Sequence, residues 1–101
     1  MAKRDRWYTA ASPNLGQAFQ VYHDTVTEQS SLDKKTIELI KLVVSSVLRC
    51  PHCTEDHITK ALQAGATRRE VADALHLSAL QGAGTQLYWT METFEKHLGG
   101  A

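Results

Sequence analysis

The segment TIELIKLVVSSVLR, residues 36–49, is apolar around nearly its whole circumference when wound as a helix. Ile37, Leu39, Ile40, Leu42, Val43, Val44, Val47 and Leu48 leave only a narrow polar stripe of Lys34, Glu38, Lys41, Ser45 and Arg49. Such a helix needs cover on most sides. The chain has 101 residues, which is room for one small domain, and small domains bury a limited fraction of their surface. The segment therefore predicts that subunits cover one another in a homo-oligomer.

The remaining punctuation is also helical. Ser12-Pro13 reads as an N-cap with proline at the first helical position, and Leu15, Phe19, Tyr22 and Val26 then recur at helical spacing to about Gln29. Asp33 caps the apolar helix, which runs to Arg49. A third helix starts at the cysteines and ends at Gly65, a residue suited to the left-handed position past a helix terminus. Thr67-Arg68-Arg69-Glu70 is a capping box that opens a fourth helix running toward Gly82-Ala83-Gly84, and the last spans Thr85 to about Leu98. The small-residue run either breaks the helix there or lets another helix approach closely. With no period-two alternation and no hairpin dipeptide, the expected class is all-α. Residues 1–11 form an N-terminal tail, and residues 12–99 form one compact domain of about five helices with a C-x2-C at a helix N-terminus.

Eleven basic and eleven acidic side chains give zero formal net charge, so no strong overall field favours nucleic acid or an anionic membrane. The N-terminus lacks an apolar stretch, and nothing approaches the length of a membrane span. The expected setting is soluble and cytoplasmic.

Chemistry concentrates in RCPHCTEDH, residues 49–57. Two cysteines two residues apart cross-link almost no chain, so a disulfide here is a poor stability staple. With Cys50 as N-cap and Pro51 at the first helical position, the helix end stabilises a thiolate, while Glu55 and Asp56 oppose it. On the wheel Cys50, Cys53 and His57 fall within about 60° and face inward with Ala61 and Ile58, whereas His52 points with Thr59 and Gln63 toward solvent. A structural zinc needs four ligands, and no second C-x2-C or H-x3-H pair is present. Haem attachment requires histidine directly after the second cysteine, where Thr54 stands. A thioredoxin-like fold needs a strand before the motif, and that segment reads as a helix. A redox dithiol on an all-α scaffold and a pair of buried, inert thiols both remain. His57 lies one turn beyond Cys53, at the spacing of a base that takes a thiol proton. Glu38 by pattern belongs to a solvated stripe. If the third helix folds back on the second, a water between Glu38 and His57 completes a line to Cys53.

These residues carry a resemblance. Glu38, eleven residues, Cys50-Pro51-His52-Cys53, three residues and His57 form E-x11-C-x2-C-x3-H, which resembles the motif of the alkylhydroperoxidase D-like branch of the carboxymuconolactone decarboxylase superfamily. The likeness extends from about Pro13 to Leu98 and includes LQAGATRREVADAL. It implies an all-helical domain assembling as trimers or hexamers. It also implies an antioxidant peroxidase whose dithiol reduces a hydroperoxide or exchanges with an external dithiol, thioredoxin-like or lipoyl reductant. Glu38, His52 and His57 would be the proton relay, with no metal and no bound organic cofactor. The larger enzymes of the family carry an additional helical half, and the decarboxylase branch lacks the cysteine pair. A non-enzymatic redox-sensing oligomer and a decarboxylase or lactone-type enzyme are the alternatives. Within the dithiol, the helix terminus favours Cys50 as the low-pKa thiol, but His57 and the resemblance favour Cys53, so the expected roles are Cys53 as the attacker and Cys50 as the resolving thiol that meets the external reductant.

Overall fold

A computed structural model describes residues 6–99, and among them every regular element is a helix. In chain order these are α1 (Trp7–Ala11), α2 (Pro13–Gln29), α3 (Lys34–Val47), α4 (Pro51–Gln63) and α5 (Arg68–Leu98). They divide into two units, one ending at Asp33 and the other starting at Lys34. No helix among the described residues is long and apolar enough to cross a membrane.

The first unit is α1 and α2. Part of the expected tail is therefore helical, since Trp7–Ala11 forms α1. Pro13 opens α2 as expected, but Ser12 holds the cap position without a side-chain cap bond, its carbonyl accepting from Gly16 N–H at 2.9 Å. Gly16 is buried, and a Cβ there would collide with the backbone of Thr9, so the close approach of the two helices requires glycine. Tyr8 stacks edge-on against Trp7 and Phe19, with ring centroids 5.6 and 5.5 Å apart.

The second unit carries the site. After α3 the chain reverses in three residues. Arg49 N–H donates to Ser46 O and Cys50 N–H to Ser45 O, each at 3.1 Å, and Arg49 takes φ +58. This is a Schellman turn. The same pair of bonds closes α4, with Gly65 N–H on Leu62 O at 3.1 Å and Ala66 N–H on Ala61 O at 2.9 Å, and Gly65 takes φ +98. Glycine adopts that conformation freely, whereas an L-residue such as Arg49 gives up roughly 1 kcal/mol. Thr67 and Glu70 then form the expected capping box, Glu70 N–H to Thr67 Oγ1 at 3.0 Å and Thr67 N–H to Glu70 Oε1 at 2.9 Å. Lys35 on the first turn of α3 donates to Glu70 Oε2 at 2.9 Å, tying the start of α3 to the start of α5.

One expectation is overturned. The chain does not break at Gly82-Ala83-Gly84, and α5 continues unbroken from Arg68 to Leu98. Glycine inside a helix costs only about 1 kcal/mol relative to alanine, and no proline interrupts the surrounding helix formers. The merging of the last two expected helices and the presence of α1 together keep the number at five.

Leu42 and Ala61 are fully buried and Ala66 nearly so, which places the small core between α3, α4 and the start of α5. The apolar circumference of α3 is only partly covered within one chain. Ile40 is 45% exposed, Val44 50% and Val47 65%, Leu48 just past the helix end is 73% exposed, and Leu77, Leu80, Leu87, Tyr88, Trp89 and Phe94 of α5 are exposed too.

The capping box gives a stability prediction. Thr67→Ala removes the acceptor for Glu70 N–H and is expected to destabilise the fold by about 1 kcal/mol, read as a lower denaturant midpoint at unchanged slope.

Candidate functional site

Three short-range devices assemble the site. The Schellman turn at Arg49 reverses the chain and places Cys50 at the N-cap of α4. Pro51 follows at the first helical position, where its missing N–H leaves no bond unmade. Thr54 locks the turn from inside, its N–H and hydroxyl both donating to Cys50 O at 2.9 and 2.7 Å.

The cap is a sulfur. Cys50 Sγ accepts from Cys53 N–H at 3.2 Å, and the two cysteines are free thiols whose sulfurs are in contact. The side-chain bond with Cys53 is the main reason the Cys50 pKa lies below the ordinary thiol value, and the backbone N–H groups of Cys53 and His52 reinforce it against the opposing effect of burial. Cys53 is pushed up by the same bond seen from the other side, then by burial and by the negative charges of Cys50 and Asp56. Backbone N–H groups favour an anion at the cap, so Cys50 is the more acidic of the two thiols.

Glu38 is not part of a solvated stripe. It is 6% exposed, and its Oε2 lies 2.8 Å from His57 Nδ1. The expected intervening water is replaced by direct contact, because α4 folds tightly back along α3. With Nδ1 engaged by the carboxylate, Nε2 is left as the nitrogen that can exchange protons. His57 is itself largely buried, its side chain 17% exposed. Asp56 faces away into an i,i+4 bridge with Lys60 at 3.0 Å, which holds its carboxyl below the usual range.

His52 stands apart, exposed on the first turn of α4, where its backbone N–H serves Cys50. The wheel expected this solvent-facing position. The structure thus joins Glu38 to His57 and Cys50 to Cys53, and it leaves the His52 side chain at the surface. Sequence reasoning missed Thr54 and Arg49, although a threonine four residues after a cap is a readable signal for a hydroxyl on the cap carbonyl. Among the described residues no three histidine, cysteine or acidic side chains converge as a ligand set.

A buried carboxylate holding one nitrogen of a histidine, and a helix terminus that lowers one thiol of a pair, bring together a candidate base and two sulfurs. That set suits thiol oxidation, disulfide formation and disulfide exchange.

Comparison with known proteins agrees on the scaffold. Residues 13–96 match the model of the carboxymuconolactone decarboxylase family. An uncharacterised protein encoded in the cox locus of Paracoccus denitrificans is 34% identical over 74 residues, covering 73% of this chain and 67% of the relative. A crystal structure of a structural-genomics target from Methanobacterium thermoautotrophicum superposes with a TM-score of 0.78 at 29% identity, over 86% of this chain and 95% of the other. By its helical fold and by a match spanning most of its length, the chain belongs to the carboxymuconolactone decarboxylase family.

Proposed function

We propose that the protein is a thiol-dependent peroxidase or disulfide oxidoreductase of the alkylhydroperoxidase D-like type. The observation that carries this reading is the Cys50–Cys53 dithiol at the N-cap of α4, one helical turn from a histidine held by a buried glutamate. A decarboxylase needs no such sulfur pair, and two inert thiols need no backbone donor aimed at one of them.

One cysteine, as its thiolate, attacks the distal oxygen of a hydroperoxide, the O–O bond breaks, and that cysteine becomes a sulfenic acid while the alcohol leaves with a proton. The second thiol then attacks the sulfenic sulfur, expelling water and closing the Cys50–Cys53 disulfide. An external dithiol restores both thiols by exchange. The His57–Glu38 pair accepts and returns the protons, the buried carboxylate stabilising the imidazolium that forms. His52, exposed on the first turn of α4, is the third member of the proposed relay.

His57, one turn beyond Cys53, favours Cys53 as the attacker and Cys50 as the resolving thiol. A second reading makes Cys50 the attacker, because it is the more acidic thiol at the helix cap. Trapping of sulfenic acid separates the two. If Cys50 attacks, Cys53→Ser accumulates a trappable sulfenic acid on Cys50. If Cys53 attacks, Cys50→Ser accumulates it on Cys53. Neither variant forming one contradicts the peroxidase reading.

The acidity of Cys50 has its own signature. Alkylation of the reduced protein is expected to begin at a lower pH than for an ordinary thiol. A folded pKa below the unfolded one means that the thiolate cap stabilises the reduced fold above the unfolded pKa. That contribution fades as pH falls through the depressed Cys50 value. Cys50→Ser should remove the low-pH alkylation, and Cys53→Ala should move it upward by deleting the thiol donor.

The open apolar faces of α3 and α5 further support a homo-oligomer, trimeric or hexameric, since patches of this extent on a monomer are unusual. Light scattering at micromolar concentration should return a multiple of the chain mass, and a monomer would contradict it.

A further inference from the structure

We infer that the second half of α5 pairs with α5 of a second copy of this chain, the two helices antiparallel and Phe94 of each seated over Gly84 of the other; this rests on the homo-oligomer proposed above and names the contact that builds it.

From Leu80 onward the helix repeats apolar or small residues in alternating steps of four and three: Leu80, Gly84, Leu87, Met91, Phe94 and Leu98. That spacing is the seam of a two-helix coil. Its large side chains are each at least half exposed. With Tyr88 at the edge, they expose an area comparable to the ~800 Å² that each partner of a stable interface buries.

The seam faces away from the packing of its own unit. α5 meets α3 and α4, and on its first half Val71, Leu75 and Ser78 are half-buried. By helical rotation that side lies roughly 170° from the seam. The core of the unit therefore lies behind the helix, and the seam needs cover from outside the unit.

The order of large and small residues selects the occupant. Glycine destabilises a helix interior, and nothing among the described residues lies within 4 Å of where a Cβ at Gly84 would stand. A shallow hollow bordered by Leu80, Tyr88 and Trp89 opens over Gly84 instead. Two copies running the same way would set Gly84 on Gly84 and Phe94 on Phe94, leaving one layer empty and another crowded. Running oppositely, they set Leu80 on Leu98, Gly84 on Phe94 and Leu87 on Met91. Each layer of the seam then holds an apolar pair, and the aromatic ring fills the hollow at glycine. No charged residue stands on the seam, and Glu95 at its edge falls beside Gln81 of the other copy, not beside an acid. Such a contact is two-fold, so chains assemble in even number, which selects a hexamer over a trimer.

The test uses the full-length protein. Light scattering should return an even multiple of the chain mass, and Leu87→Glu should halve it, since Leu87 is exposed within its own chain and its loss leaves the fold intact. Orientation is read by cross-linking in a Cys50→Ser, Cys53→Ser background. Leu87→Cys mixed with Met91→Cys should form a disulfide between the two proteins under mild oxidation, and neither should cross-link alone. Gly84→Leu should halve the mass as well, and adding Phe94→Ala should restore it. An oligomer whose mass Leu87→Glu leaves unchanged overturns the pairing and leaves the homo-oligomer standing. Leu87→Cys cross-linking to itself, or no cross-link in the mixture, overturns the antiparallel register. A monomer overturns both the pairing and the homo-oligomer.

Discussion

The 2.8 Å contact between Glu38 on α3 and His57 on α4 is the constraint around which the second unit is arranged. A carboxylate is rarely buried without a partner, because desolvation penalises its charge unless a donor or cation compensates. Glu38 can be buried only if α4 returns along α3 with its second turn at the right height. That in turn requires the three-residue reversal at Arg49 and the helix start at Pro51. The dithiol follows from the same geometry, since Cys50 is both the last residue of the reversal and the cap of α4. Stability and chemistry therefore draw on one set of backbone bonds.

Placing a sulfur at a helix cap, where oxygen side chains usually stand, links redox state to helix capping. As a thiolate, Cys50 accepts a backbone donor and faces the positive end of the helix dipole. The reduced state is the one this arrangement stabilises. Asp56 is one of the charges that raise Cys53, which keeps the second thiol protonated beside the first. Two thiols three residues apart thus acquire different characters from their surroundings.

Much of this was legible in the sequence, for local reasons. Pro13, Pro51, Gly65 and the Thr67–Glu70 box each act within one turn of themselves, so they locate helix ends regardless of tertiary context. Trp7–Ala11 escaped because one turn is too short to show a period. The continuity of α5 escaped because Gly82 and Gly84 look like breakers, yet their cost is small against a helix of 31 residues. The burial of Glu38 contradicts its neighbours Lys34 and Lys41, which read as a solvated stripe. Only its fixed spacing from the cysteines and His57 marked it. Helical rise alone left room for a water between Glu38 and His57. The tight turn, set by a non-glycine residue in the left-handed region, closed that gap.

The central claim is that the buried pair serves the dithiol in turnover, and steady-state hydroperoxide consumption with an excess dithiol donor tests it most directly. The natural protein should turn over many times, and Cys50→Ser and Cys53→Ser should each abolish it. Glu38→Gln and His57→Ala should slow it by about 10²- to 10⁴-fold while the oligomer persists. Consumption that stops after one equivalent per chain, or that is indifferent to Glu38→Gln in a folded protein, would contradict the account.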